Sequence, residues 1–140
     1  MQRKIRVMLL KQNKGALIPQ EIPDFIDDLE HLYEALECRC IDIQSRKVGG
    51  RLLDFVFDDE YLFTAKPDDL PTAIFEGEGQ EAIFGNLIIT GTGDQEGNLT
   101  SLCDLDIEAI LSNISQYRAK FEGKEGPNLS PIFLALRYGI

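Results

Sequence analysis

Between Phe84 and Ile114 the chain reads FGNLIITGTGDQEGNLTSLCDLDIEAILSNI, an unbroken succession of apolar run, glycine-rich acidic turn, short apolar run and acid-led amphipathic segment. Asn86 to Thr92 carries branched residues toward both faces, the pattern of a strand covered on two sides and central in its sheet. Gly91 to Gly97 turns the chain, and Leu99 to Leu102 reads as a short strand. Asp104, Asp106 and Glu108 then crowd the first turn of a helix, where the positive end of the helix dipole favours acids. Ile107, Ile110, Leu111 and Ile114 recur on one face, and the helix should fade near Tyr117. A strand feeding a turn, a strand and a helix over so short a span places the chain among α+β folds.

The rest of the chain extends this pattern. Ile5, Val7 and Leu9 alternate with Arg6, Met8 and Leu10, and Ala16-Leu17-Ile18 returns as a partner strand that Pro19 and Pro23 should interrupt. Asp27 with Glu30 three residues on resembles a capping box, and Leu29, Leu32, Tyr33 and Leu36 share the apolar face of a helix from about Asp28 to Glu37. Cys38 to Gln44 alternates as a strand, Val48-Gly49-Gly50 turns it, and Leu53, Phe55 and Phe57 give the return strand an aromatic core face. Thr64 to Gln80, rich in proline, glycine and aspartate, reads as a long surface connection anchored by Leu70 and Ile74-Phe75. Arg118 to Gly126 is a charged hinge. Beyond it Ile132, Leu134, Leu136 and Tyr138 face one way and Phe133, Ala135 and Arg137 the other, so the tail should return to a sheet edge or dock on a second subunit. The expected architecture is a mostly antiparallel sheet of about five to six strands with two amphipathic helices on it. Residues 1–117 form one domain and 118–140 an extension.

At 140 residues and 44% apolar composition, the chain is long enough to bury a core without disulfides or metal. Its apolar runs are too short to cross a bilayer, and the start lacks the apolar core of a signal peptide, so a cytoplasmic location is expected. Three cysteines, Cys38, Cys40 and Cys103, then read as reduced thiols. On a strand Cys38 and Cys40 would lie roughly 7 Å apart, unsuited to a disulfide. A zinc site with His31 would require a loop there instead. His31 itself has no nucleophile or carboxylate at a diagnostic spacing.

The formal charge of −10 argues against binding nucleic acid or anionic membrane, since affinity for phosphate comes from Lys and Arg. Gly91 to Gly97 departs from a dinucleotide fingerprint, because its third glycine is one place late and no helix follows. It departs equally from a calcium loop, which needs its glycine elsewhere and a closing glutamate. Neither a catalytic constellation nor a cofactor site is identified.

At GNLIITGTGDQEGNLTSLCDLDIEAI the chain resembles a family of uncharacterised bacterial proteins, the domain of unknown function numbered 3846. The residues that carry the likeness are Gly91, Asp94, Gly97, Ser101, Leu102, Asp106, Ile107 and Glu108, together with the order of Ile5 to Leu10, a proline-bearing link and a helix beginning at Ile26-Asp27. The resemblance covers about residues 4–114. Leu70-Pro71-Thr72-Ala73 departs from it, since the family pattern has Asn-Arg shortly after Leu-Pro. What the resemblance implies is a role among plasmids, phages and conjugative elements, near genes that counter host restriction.

Acid concentrated on Asp27, Glu30, Glu34 and Glu37 and on Asp94, Glu96, Asp104, Asp106 and Glu108 marks an expected interaction surface. A protein bearing such rows of carboxylates can act as a non-enzymatic accessory protein by binding another protein, and can occupy a DNA-binding channel. Two other readings compete. One is a small-molecule or peptide module around residues 64–80, with a pocket lined by Phe55, Phe57, Phe75 or Phe84. The other is a metal-dependent hydrolase or nuclease using Asp58, Asp59, Asp68 and Asp69. A homodimer through the C-terminal segment is the alternative assembly.

Overall fold

The computed structural model describes residues 3–13, 16–60, 72–76, 81–116 and 132–137. The strands are β1 (Lys4–Asn13), β2 (Ala16–Ile26), β3 (Ile41–Val48), β4 (Arg51–Asp58), β5 (Ala73–Glu76), β6 (Glu81–Ile83), β7 (Leu87–Gly91), β8 (Ile114–Gln116) and β9 (Ile132–Arg137). Two helices, α1 (Leu29–Leu36) and α2 (Asp104–Ser112), complete the described elements. The fold is α+β.

Five strands pair antiparallel in the order β2-β1-β7-β4-β3. β7 sits at the centre, and all five of its residues are buried. Its doubly branched sequence follows from that position, because both faces of the sheet are covered. Toward one face point Ile5, Val7, Leu9, Val56 and Ile88, which pack with Leu32 and Leu36 of α1. Toward the other point Met8, Leu10, Leu53, Phe55, Leu87 and Ile89, which pack with Ile107 and Ile110 of α2 and with Ala73 and Ile83. The mixed second face of β1 is therefore as much a core face as the first. Burying each such large side chain contributes about 1.5–3 kcal/mol before chain entropy is subtracted.

A second sheet has the order β6-β5-β9-β8, with β5 and β9 parallel and the other pairs antiparallel. β9 lies inside this sheet between β5 and β8, so the expected edge position is corrected. The span 64–80 is likewise corrected in part: Ala73–Glu76 is strand β5, while Leu70, Asp68 and Asp69 lie outside the described residues.

Other differences have local causes. Pro19 and Pro23 do not end β2, which runs on to Ile26 as an edge strand where an absent N–H is tolerated, with an irregularity between Ile5 and Val7 in the pairing. Asp28, not Asp27, caps α1, its side chain accepting from the His31 backbone N–H, and Leu29 is 57% exposed. The expected strand over Leu99 to Leu102 is only a single bridge between Gly91 and Thr100. There the chain is so close that a Cβ on Gly91 would stand 2.8 Å from the Ser101 carbonyl oxygen. α2 ends at Ser112, short of Tyr117, and Ile114 leaves it for β8. Leu111, expected in the apolar stripe, is 47% exposed.

Candidate functional site

The basic N-terminal strand folds onto part of the acidic sequence. Arg3 reaches Asp94 at 3.8 Å, and Arg6 pairs with both Glu21 at 2.5 Å and Asp104 at 2.7 Å. Asp106 is buried, contrary to its expected place on an interaction surface. Arg51 binds it through Nε, and its other oxygen accepts from the Cys103 backbone N–H at 2.9 Å, closing a capping box at the start of α2. Burial pushes the Asp106 carboxyl up, but the Arg51 and Cys103 hydrogen bonds outweigh it and hold it below the usual carboxylate range. Asp94 is spent on its own turn, accepting from the Glu96 and Asn98 backbone N–H groups. Glu96 and Glu108 are exposed. The 94–108 segment thus owes much of its acid to turn and helix-start chemistry and to ion pairs.

Around α1 the outcome is different. Asp27 is half-buried, and burial pushes its carboxyl up against the pull of Arg3, with Asp28 and Asp94 adding to the rise. His31 has a carboxylate partner after all, its Nδ1 lying 2.6 Å from Asp28 Oδ1. Glu30, Glu34 and Glu37 are exposed along the helix. Glu37 closes α1 in the left-handed conformation, φ 54°, a position that favours glycine. Its carboxylate and the Ala35 carbonyl both accept from the Asn86 side-chain amide at 3.1 Å, which ties the helix end to the approach to β7.

This helix end meets the far end of the β3–β4 hairpin. Gly49 and Gly50, with φ of 57° and 83°, form its two-residue turn. The register from that turn pairs Ile41 with Asp58, so the residues just beyond, Cys40 and Asp59, come together, with Asp59 N–H to Cys40 O at 3.4 Å. Cys38 to Cys40 is a loop, not the expected strand. Between helix end and hairpin end lies an open groove of about 510 Å³, lined by Tyr33, Glu34, Glu37, Cys38, Arg39, Asp58 and Glu60. Four of these are acids and one is a cation, and Arg39 is 3.5 Å from Glu60.

The thiols of Cys38, which lines the groove, and of Cys40, which lies near Glu60, sit in a negative field. Burial pushes the Cys38 thiol up, assisted by Asp58, Asp59 and Glu60 and opposed by the Cys40 backbone N–H. The Cys40 thiol is raised chiefly by donating to the Glu60 carboxylate, which is correspondingly held low by Cys40 and Arg39. Neither is an activated nucleophile, which would need its thiolate favoured. Of the expected surface, the structure brings Glu34 and Glu37 to the groove and leaves the 94–108 acids elsewhere. It adds Asp58, Glu60, Cys38, Tyr33 and Arg39. The missed signal was register: counting back from a two-residue Gly49-Gly50 turn already sets Cys40 across from Asp59. Phe55, expected to line a ligand pocket, is fully buried in the core, and Phe57 packs against that core. Among the described residues no helix is long and apolar enough to cross a membrane.

No curated protein and no solved structure matches the chain. A family model matches residues 5–121, spanning both helices, the five-stranded sheet and the hairpin that builds the groove. The chain therefore belongs to the family described as DUF3846, a domain of unknown function.

Proposed function

We propose that the protein is a non-enzymatic accessory protein that acts by binding another protein, and that its contact is the acidic groove between the end of α1 and the end of the β3–β4 hairpin. The observation that carries this reading is the composition of that groove: Glu34, Glu37, Asp58 and Glu60 line it around a tyrosine, with Arg39 the one cation among the described lining residues. Carboxylates so placed raise the local concentration of cationic groups and steer a basic surface into register. Tyr33 offers an aromatic face on which an arginine can stack. A basic segment of a protein that handles DNA is the partner that fits, in keeping with the antirestriction setting implied by the family resemblance.

The test is retention of such a partner from the native host on immobilised protein, followed by elution with salt and with duplex DNA. Retention that falls with ionic strength, is competed by DNA and is lost in the double variant Glu34→Lys, Glu37→Lys supports the reading. Retention indifferent to DNA and to the double variant overturns it.

A further inference from the structure

We propose that Cys40, Asp59 and Glu60 form a binding site for a borderline-soft divalent cation of the zinc class, at the hairpin end of the groove. One ligand atom from each of the three lies within 4.8 Å of the other two. The donors come from two separate segments. Cys40 belongs to the loop entering β3, Asp59 and Glu60 to the turn leaving β4, and the Asp59 N–H to Cys40 carbonyl bond at 3.4 Å holds the two together. Asp58 is used differently: its carboxylate accepts from the Glu60 backbone N–H at 2.9 Å, which fixes the turn that presents the two acids.

The donor set selects the ion. Magnesium and calcium take oxygen ligands and have no use for a thiolate, whereas zinc, cobalt and cadmium accept sulfur together with carboxylate. At zinc bond lengths of about 2.3 Å to sulfur and 2.0–2.2 Å to oxygen, tetrahedral donors stand roughly 3.5 Å apart. With the present donors no more than 4.8 Å apart, the contraction needed is at most about 1.3 Å, within reach of side chains that are half-buried or exposed. A thiol binds such a cation as its thiolate, so the metal displaces the Cys40 thiol proton. Affinity should therefore rise with pH across the neutral range. Cys38 lies in the field of the same acids and lines the groove beside them, so a second sulfur is at hand without being required.

The test uses cobalt(II) as the probe on the reduced full chain. One equivalent should produce a sulfur-to-cobalt charge-transfer band in the near ultraviolet that zinc bleaches and that strengthens as pH rises. Cys40→Ser should abolish the band, Glu60→Gln should weaken cobalt binding tenfold or more, and Cys103→Ser should leave both unchanged. The absence of a band in the parent protein overturns the proposal. So does a band that survives Cys40→Ser, since cobalt would then be held by other thiols, or an affinity indifferent to Glu60→Gln, since that carboxylate would then be no ligand. Glu34→Lys with Glu37→Lys, the change that tests partner binding, leaves all three proposed ligands in place, so the two readings fail separately.

Discussion

Asp106 shows how a single side chain can be diverted from surface to scaffold. Its carboxylate is buried, bonded to Arg51 from β4 and to the backbone at the start of α2, so one residue ties helix to sheet and caps the start of the helix. Because its folded pKa is depressed, it contributes stability that is complete above its unfolded value of about 3.9 and is lost as pH falls through the lower folded value. Asp106→Asn should cost about 1–3 kcal/mol at neutral pH by urea unfolding, and the gap from the parent should narrow near about pH 3. An equal gap at both would show that the charge contributes nothing. Glu37 is the converse case, a residue in a left-handed position better suited to glycine, whose carboxylate lines the groove. Glu37→Gly relieves that backbone cost but loses the contact with Asn86, so stability should stay level or rise by up to about 1 kcal/mol while partner binding weakens. A loss of more than about 1 kcal/mol would make Glu37 a structural residue instead.

At the scale of elements, legibility followed local chemistry. β7 and α2 could be read from residues 84–114 because doubly branched strands and acid-led helices each have one dominant physical cause. The β3–β4 hairpin was legible for the same reason, its two glycines marking the turn. Pairing between distant segments was not. Nothing local tells β5 that it lies parallel to β9, sixty residues away in sequence, or that Arg6 will meet Asp104. The groove was hidden likewise, since Glu34 and Glu60 belong to different elements joined only by the fold. β9 carries a direct test. It is bonded to β5 on one side and β8 on the other, so removing residues 130–140 should leave two unpaired edges in the second sheet. The truncated protein should melt lower and self-associate in sedimentation velocity. A monomer melting within about a degree of the parent would show that neither edge depends on β9.

At the scale of the whole molecule, the balance of charge sets two opposite responses to salt. A net charge of −10 makes the folded chain repel itself. Opposing this are the cross-links that Arg3, Arg6 and Arg51 make to Asp94, Asp104, Glu21 and Asp106. Those pairs are short-ranged, and exposed ones are typically worth no more than about 1 kcal/mol, whereas the repulsion is summed over every exposed acid. The Debye length falls from about 30 Å at 0.01 M to about 8 Å at 0.15 M, so salt in this range screens the long-range repulsion well before it reaches pairs a few ångströms apart. Added sodium chloride should accordingly raise Tm over that interval. The proposed partner contact should weaken over the same interval, because there the long-range field of the groove acts as an attraction. Measuring melting and partner retention across one salt series checks both slopes at once. A Tm that falls with salt would mean that the arginine cross-links, not the excess acid, dominate the electrostatics of the folded chain.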